Sequence, residues 1–405
     1  MLKNSLKAYK IHLNNTILNT DIQEFINLNL NLNISTLLLK GIPFSSVDTK
    51  EIIEQIEAKK RCEKKLPAWF NTKNVYYPNK LNIEQTSSEI TAQYKSNLID
   101  GESIIDLTGG FGVDCFYFSK RFKAVEHCEI NENLSEIVNH NYKQLGIENI
   151  KTINADGVNY LQTSNQQFDW IYIDPSRRHD NKGKVFFLKD CLPNVPEHLS
   201  LLFNHSDNIM IKTSPLLDLT IGIDELKHVK CIHIVAVNNE VKELLWVLEK
   251  NYSKPISIET VNIKKETKDH FKFLFKDEKS IKSNYNLPLT YLYETNSAIL
   301  KGGGFNSVSK ELNVFKLHKH SHLYTNKDLI NFPGRRFKIE SCIPFNRKEL
   351  KRLSIKKANI TTRNFPESVQ QIRKKLNIKD GGDCYLFFTT DLNNTKVVLI
   401  TSKVD

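Results

Sequence analysis

Four carboxylates stand where apolar runs of this chain end: Asp106, Glu129, Asp156 and Asp174. The first opens Asp106-Leu107-Thr108-Gly109-Gly110-Phe111-Gly112-Val113-Asp114, with three glycines in four residues. Such a turn lets the backbone approach a ligand closely. The helix-compatible run behind it, Cys115-Phe116-Tyr117-Phe118, offers unpaired N–H groups to a polar or anionic group. Glu129 lies 23 residues beyond Asp106, where a carboxylate can accept hydrogen bonds from both hydroxyls of a ribose. The glycine order differs from the GxGxxG of dinucleotide folds, and no pyrophosphate spacing is matched. Asp174-Pro175-Ser176-Arg177-Arg178 sets a carboxylate beside two guanidinium forks. Those forks suit bidentate contact with phosphate or a base edge, and salt bridging to neighbouring acids is their plainer use.

These residues need strands to present them. Ile104-Ile105 leads into Asp106, and apolar strand patterns follow at 124–129, 149–154, 168–173, 207–212 and 231–237. A helical face of Leu134, Ile137, Val138 and Tyr142 separates the second and third strands. A closing hairpin is expected from 261–263 and 271–275. Repeated βα units predict a doubly wound, largely parallel α/β sheet, with ligands beyond the carboxyl ends of the strands. Upstream, residues 1–80 read as helical, with Asp48 as an N-cap. Ser87 or Ser88 caps a further helix running to about Leu98. Beyond about residue 285 the pattern changes. His318, His320 and His322 alternate as on one face of an extended segment, without the Cys or carboxylate company of a metal site. A basic strand follows Pro333-Gly334, and 360–402 reads as strand, helix, strand, strand.

The chain has 405 residues, 40% hydrophobic and 25% charged, a globular composition too long for one ordinary core. No run approaches the roughly 18 apolar residues of a membrane span, and the first residues lack a secretory h-region. Seven scattered cysteines, never in a CxxC pair, read as reduced side chains of a cytoplasmic protein. Charge is divided unevenly. Residues 251–405 hold 29 Lys/Arg against 15 Asp/Glu, and residues 1–250 hold 28 against 31. The whole positive excess lies in the last 155 residues, which points to a nucleic-acid partner or, more plainly, to a solubilising surface.

As a set, the strand-end residues resemble the class I S-adenosylmethionine-dependent methyltransferases. The resemblance implies a Rossmann-like sheet over 81–280, with S-adenosyl-L-methionine as cofactor. It implies that Asp106, Gly109, Gly110 and Gly112 hold the methionine and ribose parts, Glu129 the ribose, and Asp156 the adenine amino group. Asp174 and Pro175 would face the methyl donor and its target, with Arg177 and Arg178 beside them. Glu84-Gln85-Thr86-Ser87-Ser88 is similar to a segment that closes over the cofactor in many nucleic-acid methyltransferases, which adds Gln85, Ser87 and Ser88. The phrases Leu292-Tyr293-Glu294-Thr295-Asn296-Ser297 and Thr362-Arg363-Asn364-Phe365-Pro366 further resemble a bacterial methyltransferase family with a C-terminal THUMP-like domain. That likeness implies a small ferredoxin-like segment at 281–332, an α+β THUMP-like domain at 333–405, and structured RNA as partner of the basic half. Where exocyclic-amine methyltransferases have a second proline and an aromatic, this chain has Ser176 and Arg177. No cysteine ends the fifth strand for carbon-5 chemistry, and Cys191 falls in a helix or loop. The expectation is nitrogen methylation of tRNA or rRNA. Two other readings stay open: a non-catalytic RNA-binding protein, and a methyltransferase of proteins or small molecules.

Overall fold

The computed structural model describes residues 13–177, 187–346, 348, 350 and 354–404. Arg178 and the side chain of Arg177 lie outside the described residues. The chain divides into two compact units, Met1–His228 with Trp246–Tyr252, and Val229–Leu245 with Ser253–Asp405.

The first unit holds strands β1 (Ser103–Asp106), β2 (Ala124–Cys128), β3 (Ile150–Ile153), β4 (Trp170–Ile173), β5 (Ser176–Arg177), β6 (Cys191–Leu192) and β7 (Asn208–Thr213). Parallel pairing gives the order β3-β2-β1-β4-β7. β1 therefore has β2 on one side and β4 on the other. The connections leave it in opposite directions, which opens a crevice beyond the carboxyl ends of β1 and β4. Helices Val113–Phe118, Glu132–Gln144, Gly157–Thr163 and Val195–His205 join the strands. Ile104, Ile105, Ile171, Tyr172, Ile209 and Ile211 are buried, as strands covered on both faces require.

The N-terminal helices do not form a separate body. Asp48 caps Thr49–Lys65, its carboxylate accepting the Lys50 N–H at 2.9 Å. The Trp69 ring lies 6.1 Å from that of Phe111 in the glycine loop and 4.8 Å from that of Phe116 in the helix behind it. The Asn141 amide bonds both the N–H and the C=O of Tyr76 at 2.9 Å. Residues 13–80 thus share one apolar core with the helices after β1 and β2.

The second unit contains β8 (Val229–Val237), β10 (Ser257–Ile263) and β11 (Lys268–Leu274), with β10 parallel to β8 and antiparallel to β11. A ten-residue strand that the sequence pattern does not announce, β9 (Glu240–Glu249), comes between β8 and β10 in the chain. Its Glu and Lys ends and its continuous Leu-Leu-Trp-Val-Leu centre carry no period-two signal. The remaining strands are β12 (Tyr291–Thr295), β13 (Phe315–Lys316), β14 (Leu323–Asn326), β15 (Gly334–Pro344), β16 (Asn359–Arg363), β17 (Cys384–Thr390) and β18 (Lys396–Val404). They make one sheet in the order β13-β14-β12-β15-β18-β17-β16. One face buries Leu292, Phe337, Phe387, Val397 and Leu399. The Phe305 ring stacks on His322 at 3.6 Å, and His318 is hydrogen-bonded to Asn364 and Asn394. Among the described residues no His, Cys, Asp or Glu cluster is placed to hold a metal, and no helix is long and apolar enough to cross a membrane.

Candidate active site

Asp106, the last residue of β1, is buried between His127 of β2 and Tyr172 of β4. Its carboxylate accepts the Thr108 N–H at 2.8 Å, the Thr108 hydroxyl at 3.1 Å and the Cys115 thiol at 3.4 Å. The same threonine oxygen accepts the Asp174 N–H at 2.7 Å, so one hydroxyl ties the end of β1 to the end of β4. The Gly109 N–H donates to the Cys128 carbonyl at 2.8 Å, which fixes the loop to the end of β2. A Cβ on Gly109 would stand 2.2 Å from His127 Nε2, so nothing larger fits there. Gly112 has φ of +78° and its Cβ would lie 2.2 Å from the Tyr142 hydroxyl, which donates to the Gly112 carbonyl at 3.0 Å. The positive φ and the close approach each demand glycine.

Charge in this pocket is unevenly satisfied. Asp114, also buried, accepts the Ser87 and Tyr172 hydroxyls at 2.8 Å each and pairs with Lys95 at 3.2 Å. The Lys95 side chain is 0% exposed. Among the described residues no cation pairs with Asp106. Burial pushes its carboxyl up to about 7, the Thr108 N–H pulls it down, and the neighbouring Asp114 adds to the rise. Beneath the loop the His127 imidazole is fully buried, and neither ring nitrogen has a hydrogen-bond partner. Burial drives it down to about 4, so it is neutral at physiological pH.

The other expected residues divide into two groups. Glu129 joins the loop, its Oε2 accepting the Gly110 N–H at 3.0 Å and its Oε1 the Asn131 N–H at 2.7 Å. Its burial raises its carboxyl above the usual range, against the pull of those two N–H groups. Ile130, beside it, is 70% exposed. Asp174 is half-buried and forms an ion pair with Lys212 of β7, a partner that strand periodicity does not reveal. Pro175 is buried, and β5 pairs antiparallel with β6, setting Arg177 opposite Cys191. Cys191 is thus in a strand, where the sequence places it in a helix or loop. Its buried thiol donates to the Phe187 carbonyl at 3.6 Å. Asp106 and Asp174 are tied to the loop through Thr108, and Glu129 through Gly110, while Ser87 bonds Asp114 just behind it. Asp156 and Ser88 act as helix caps, accepting the Asn159 N–H at 3.0 Å and the Thr91 N–H at 3.3 Å. Gln85 is exposed at the end of Lys80–Gln85.

Known proteins resemble this chain at two scales. A THUMP domain-like family model matches residues 334–403, and a ferredoxin-like domain model matches 291–333. The whole chain is similar to the crystal structure of a candidate methyltransferase from Porphyromonas gingivalis W83. The two are 32% identical with a TM-score of 0.87, over 98% of this chain and 100% of that one. An uncharacterized RNA methyltransferase of Mycoplasma mobile is 31% identical over 77 residues. That match spans 19% of this chain and 21% of that relative.

Proposed function

Because the chain belongs to the class I S-adenosylmethionine-dependent methyltransferases that carry a C-terminal THUMP-like domain, we propose that it methylates a base nitrogen of structured RNA, tRNA or rRNA, in the cytoplasm. The observation that carries this reading is the joining of Asp106, the glycine loop, Glu129 and Asp174 at the crevice between β1 and β4. The Mycoplasma relative and the positive excess of residues 251–405 favour RNA as the acceptor. Residues 81–280 are read as the catalytic domain, 281–332 and 333–405 as the segments that meet RNA, and 1–80 as its support.

The residues fit the cofactor. Glu129 is held by two backbone N–H groups and keeps lone pairs for ribose hydroxyls, with exposed Ile130 beside it as an apolar surface for the base. Asp156 uses one oxygen as a cap and keeps the other for the adenine amine. Asp106 is a buried carboxylate without a cation, which suits a positively charged ligand. When bound, S-adenosylmethionine supplies an electrophilic methyl carbon on its sulfonium. Little covalent help is then needed, and the protein's task is alignment and exclusion of water. Asp174 orients the acceptor nitrogen through the oxygen not engaged by Lys212, and Lys212 fixes that carboxylate's direction. Thr108 holds Asp174 in register with the glycine loop.

The test is Asp174→Ala. Methyl transfer to RNA should be lost while cofactor affinity stays within about threefold, because the residue acts on the acceptor. Near-parental turnover would remove Asp174 from the mechanism.

A further inference from the structure

Two motif phrases that the methyl-transfer site does not use meet in the second unit. β12 and β16 are four strands apart in their sheet, about 19 Å if it were flat, more than an Arg and a Glu side chain can bridge. Yet Arg363 Nη2, at the end of β16, donates to Glu294 Oε1 of β12 at 2.9 Å, with Nε at 3.2 Å. The sheet is therefore rolled. On the same enclosed face Arg335 of β15 takes the other oxygen, its Nε donating to Oε2 at 2.7 Å and its Nη2 also bonded there. Arg335 Nη2 reaches Thr361 Oγ1 at 3.5 Å, and its guanidinium lies 5.4 Å over the Phe337 ring.

Glu294 is 4% exposed, Arg335 40% and Arg363 33%. One buried carboxylate thus fixes two half-exposed guanidiniums by their Nε–Nη2 edges. Neither Nη1 group is engaged among the described residues, which leaves four N–H donors in a held orientation. The triad carries a surplus of one positive charge. Only the Glu294 carboxylate is buried, and the two guanidiniums that compensate it keep their outer edges toward solvent.

We propose that Arg335 and Arg363, locked on Glu294, form a seat for one phosphate group, a backbone phosphodiester of the RNA. A phosphodiester carries a single negative charge and balances the surplus, whereas a free phosphate or a phosphate monoester exceeds it. Arginine forks hold such oxygens bidentately. The two motif phrases are then one site, with Glu294 aiming two residues that touch the ligand. The inference rests on the reading of this chain as acting on RNA.

The test uses the full chain and a labelled, unmodified tRNA transcript, with affinity measured from 50 to 200 mM KCl. Arg363→Gln should weaken binding about tenfold at 50 mM and flatten the slope of log affinity against log salt by roughly 0.9, one phosphate contact. Arg363→Lys keeps Glu294 paired and the charge in place. It should retain the slope and lose roughly three- to fivefold in affinity, the cost of the fork. Arg363→Lys also decides the case if Arg363→Gln does not fold. Parental affinity and slope in the folded variants would overturn the seat while leaving the RNA reading intact. So would inorganic phosphate at matched ionic strength if it raised the melting temperature of the parent alone while RNA affinity stayed equal in both. A parent that binds no RNA at any salt would overturn both.

Discussion

Replacing Asp106 by Asn should stabilise the protein at alkaline pH and leave it unchanged in acid. The sign follows from burial. The Asp106 carboxyl is raised from 3.8 to about 7 in the folded chain. Between those values the native state keeps a proton that the unfolded state has lost, so stability falls as pH rises. Three units at 1.36 kcal/mol each amount to about 4 kcal/mol, lost by pH 8. Asn places a neutral amide in the same shape and has no charge to bury. His127 works in the opposite direction. Lowered to about 4, it stays neutral when folded, so it contributes stability that appears as pH rises from 4 to about 6.5. Both His233 and His322 are lowered by burial too and act the same way, while Glu129 adds to the Asp106 trend. Only the difference between parent and variant isolates Asp106. All three tryptophans, Trp69, Trp170 and Trp246, lie in the first unit, so urea unfolding followed by tryptophan fluorescence reads the unit that holds Asp106. Relative to full protonation, the gap between the curves should grow from about 1 kcal/mol at pH 4.5 to about 4 kcal/mol by pH 8. Parallel curves at every pH would refute the view of Asp106 as a buried, uncompensated acid.

Three further outcomes follow from the same geometry. Gly109→Ala sets a Cβ 2.2 Å from His127 Nε2 and should weaken S-adenosylmethionine binding at least tenfold by calorimetry, with partial recovery in the Gly109→Ala/His127→Ala double variant. Lys95→Met leaves Asp114 buried without its cation and should cost about 3–5 kcal/mol in the same tryptophan-monitored urea unfolding. Lys212→Ala frees the Asp174 carboxylate to swing. It should lower turnover with labelled S-adenosylmethionine and RNA about tenfold, with cofactor affinity within threefold.

The strand ends are legible in the sequence because a buried parallel strand is an apolar run, and a carboxylate or glycine closes it. Asp106, Glu129 and Asp174 announce themselves in that way. Their partners do not. Lys212 meets Asp174 across 38 residues, and Lys95 meets Asp114 from a helix whose pattern reads as ordinary capping. Ser88 is the cap its type suggests, but nothing local tells that Ser87 donates to Asp114. Thr108 looks like loop filler until its hydroxyl is seen to join β1 to β4. The rolled C-terminal sheet is hidden for the same reason: Glu294 and Arg363 are 69 residues apart, and periodicity reports only the face on which each lies. The core shared by residues 13–80 with the helix behind the glycine turn rests on aromatic contacts such as Trp69 with Phe116, equally invisible to local pattern.

The proposed activity is methyl transfer from S-adenosylmethionine to a base nitrogen of structured RNA. Its most direct test incubates the purified chain with isotopically labelled S-adenosylmethionine and unmodified tRNA or rRNA, then identifies the labelled nucleoside by mass spectrometry. An N-methylated base that disappears with Asp174→Ala is the predicted result. Label absent from RNA, or confined to ribose or to a base carbon, would contradict it.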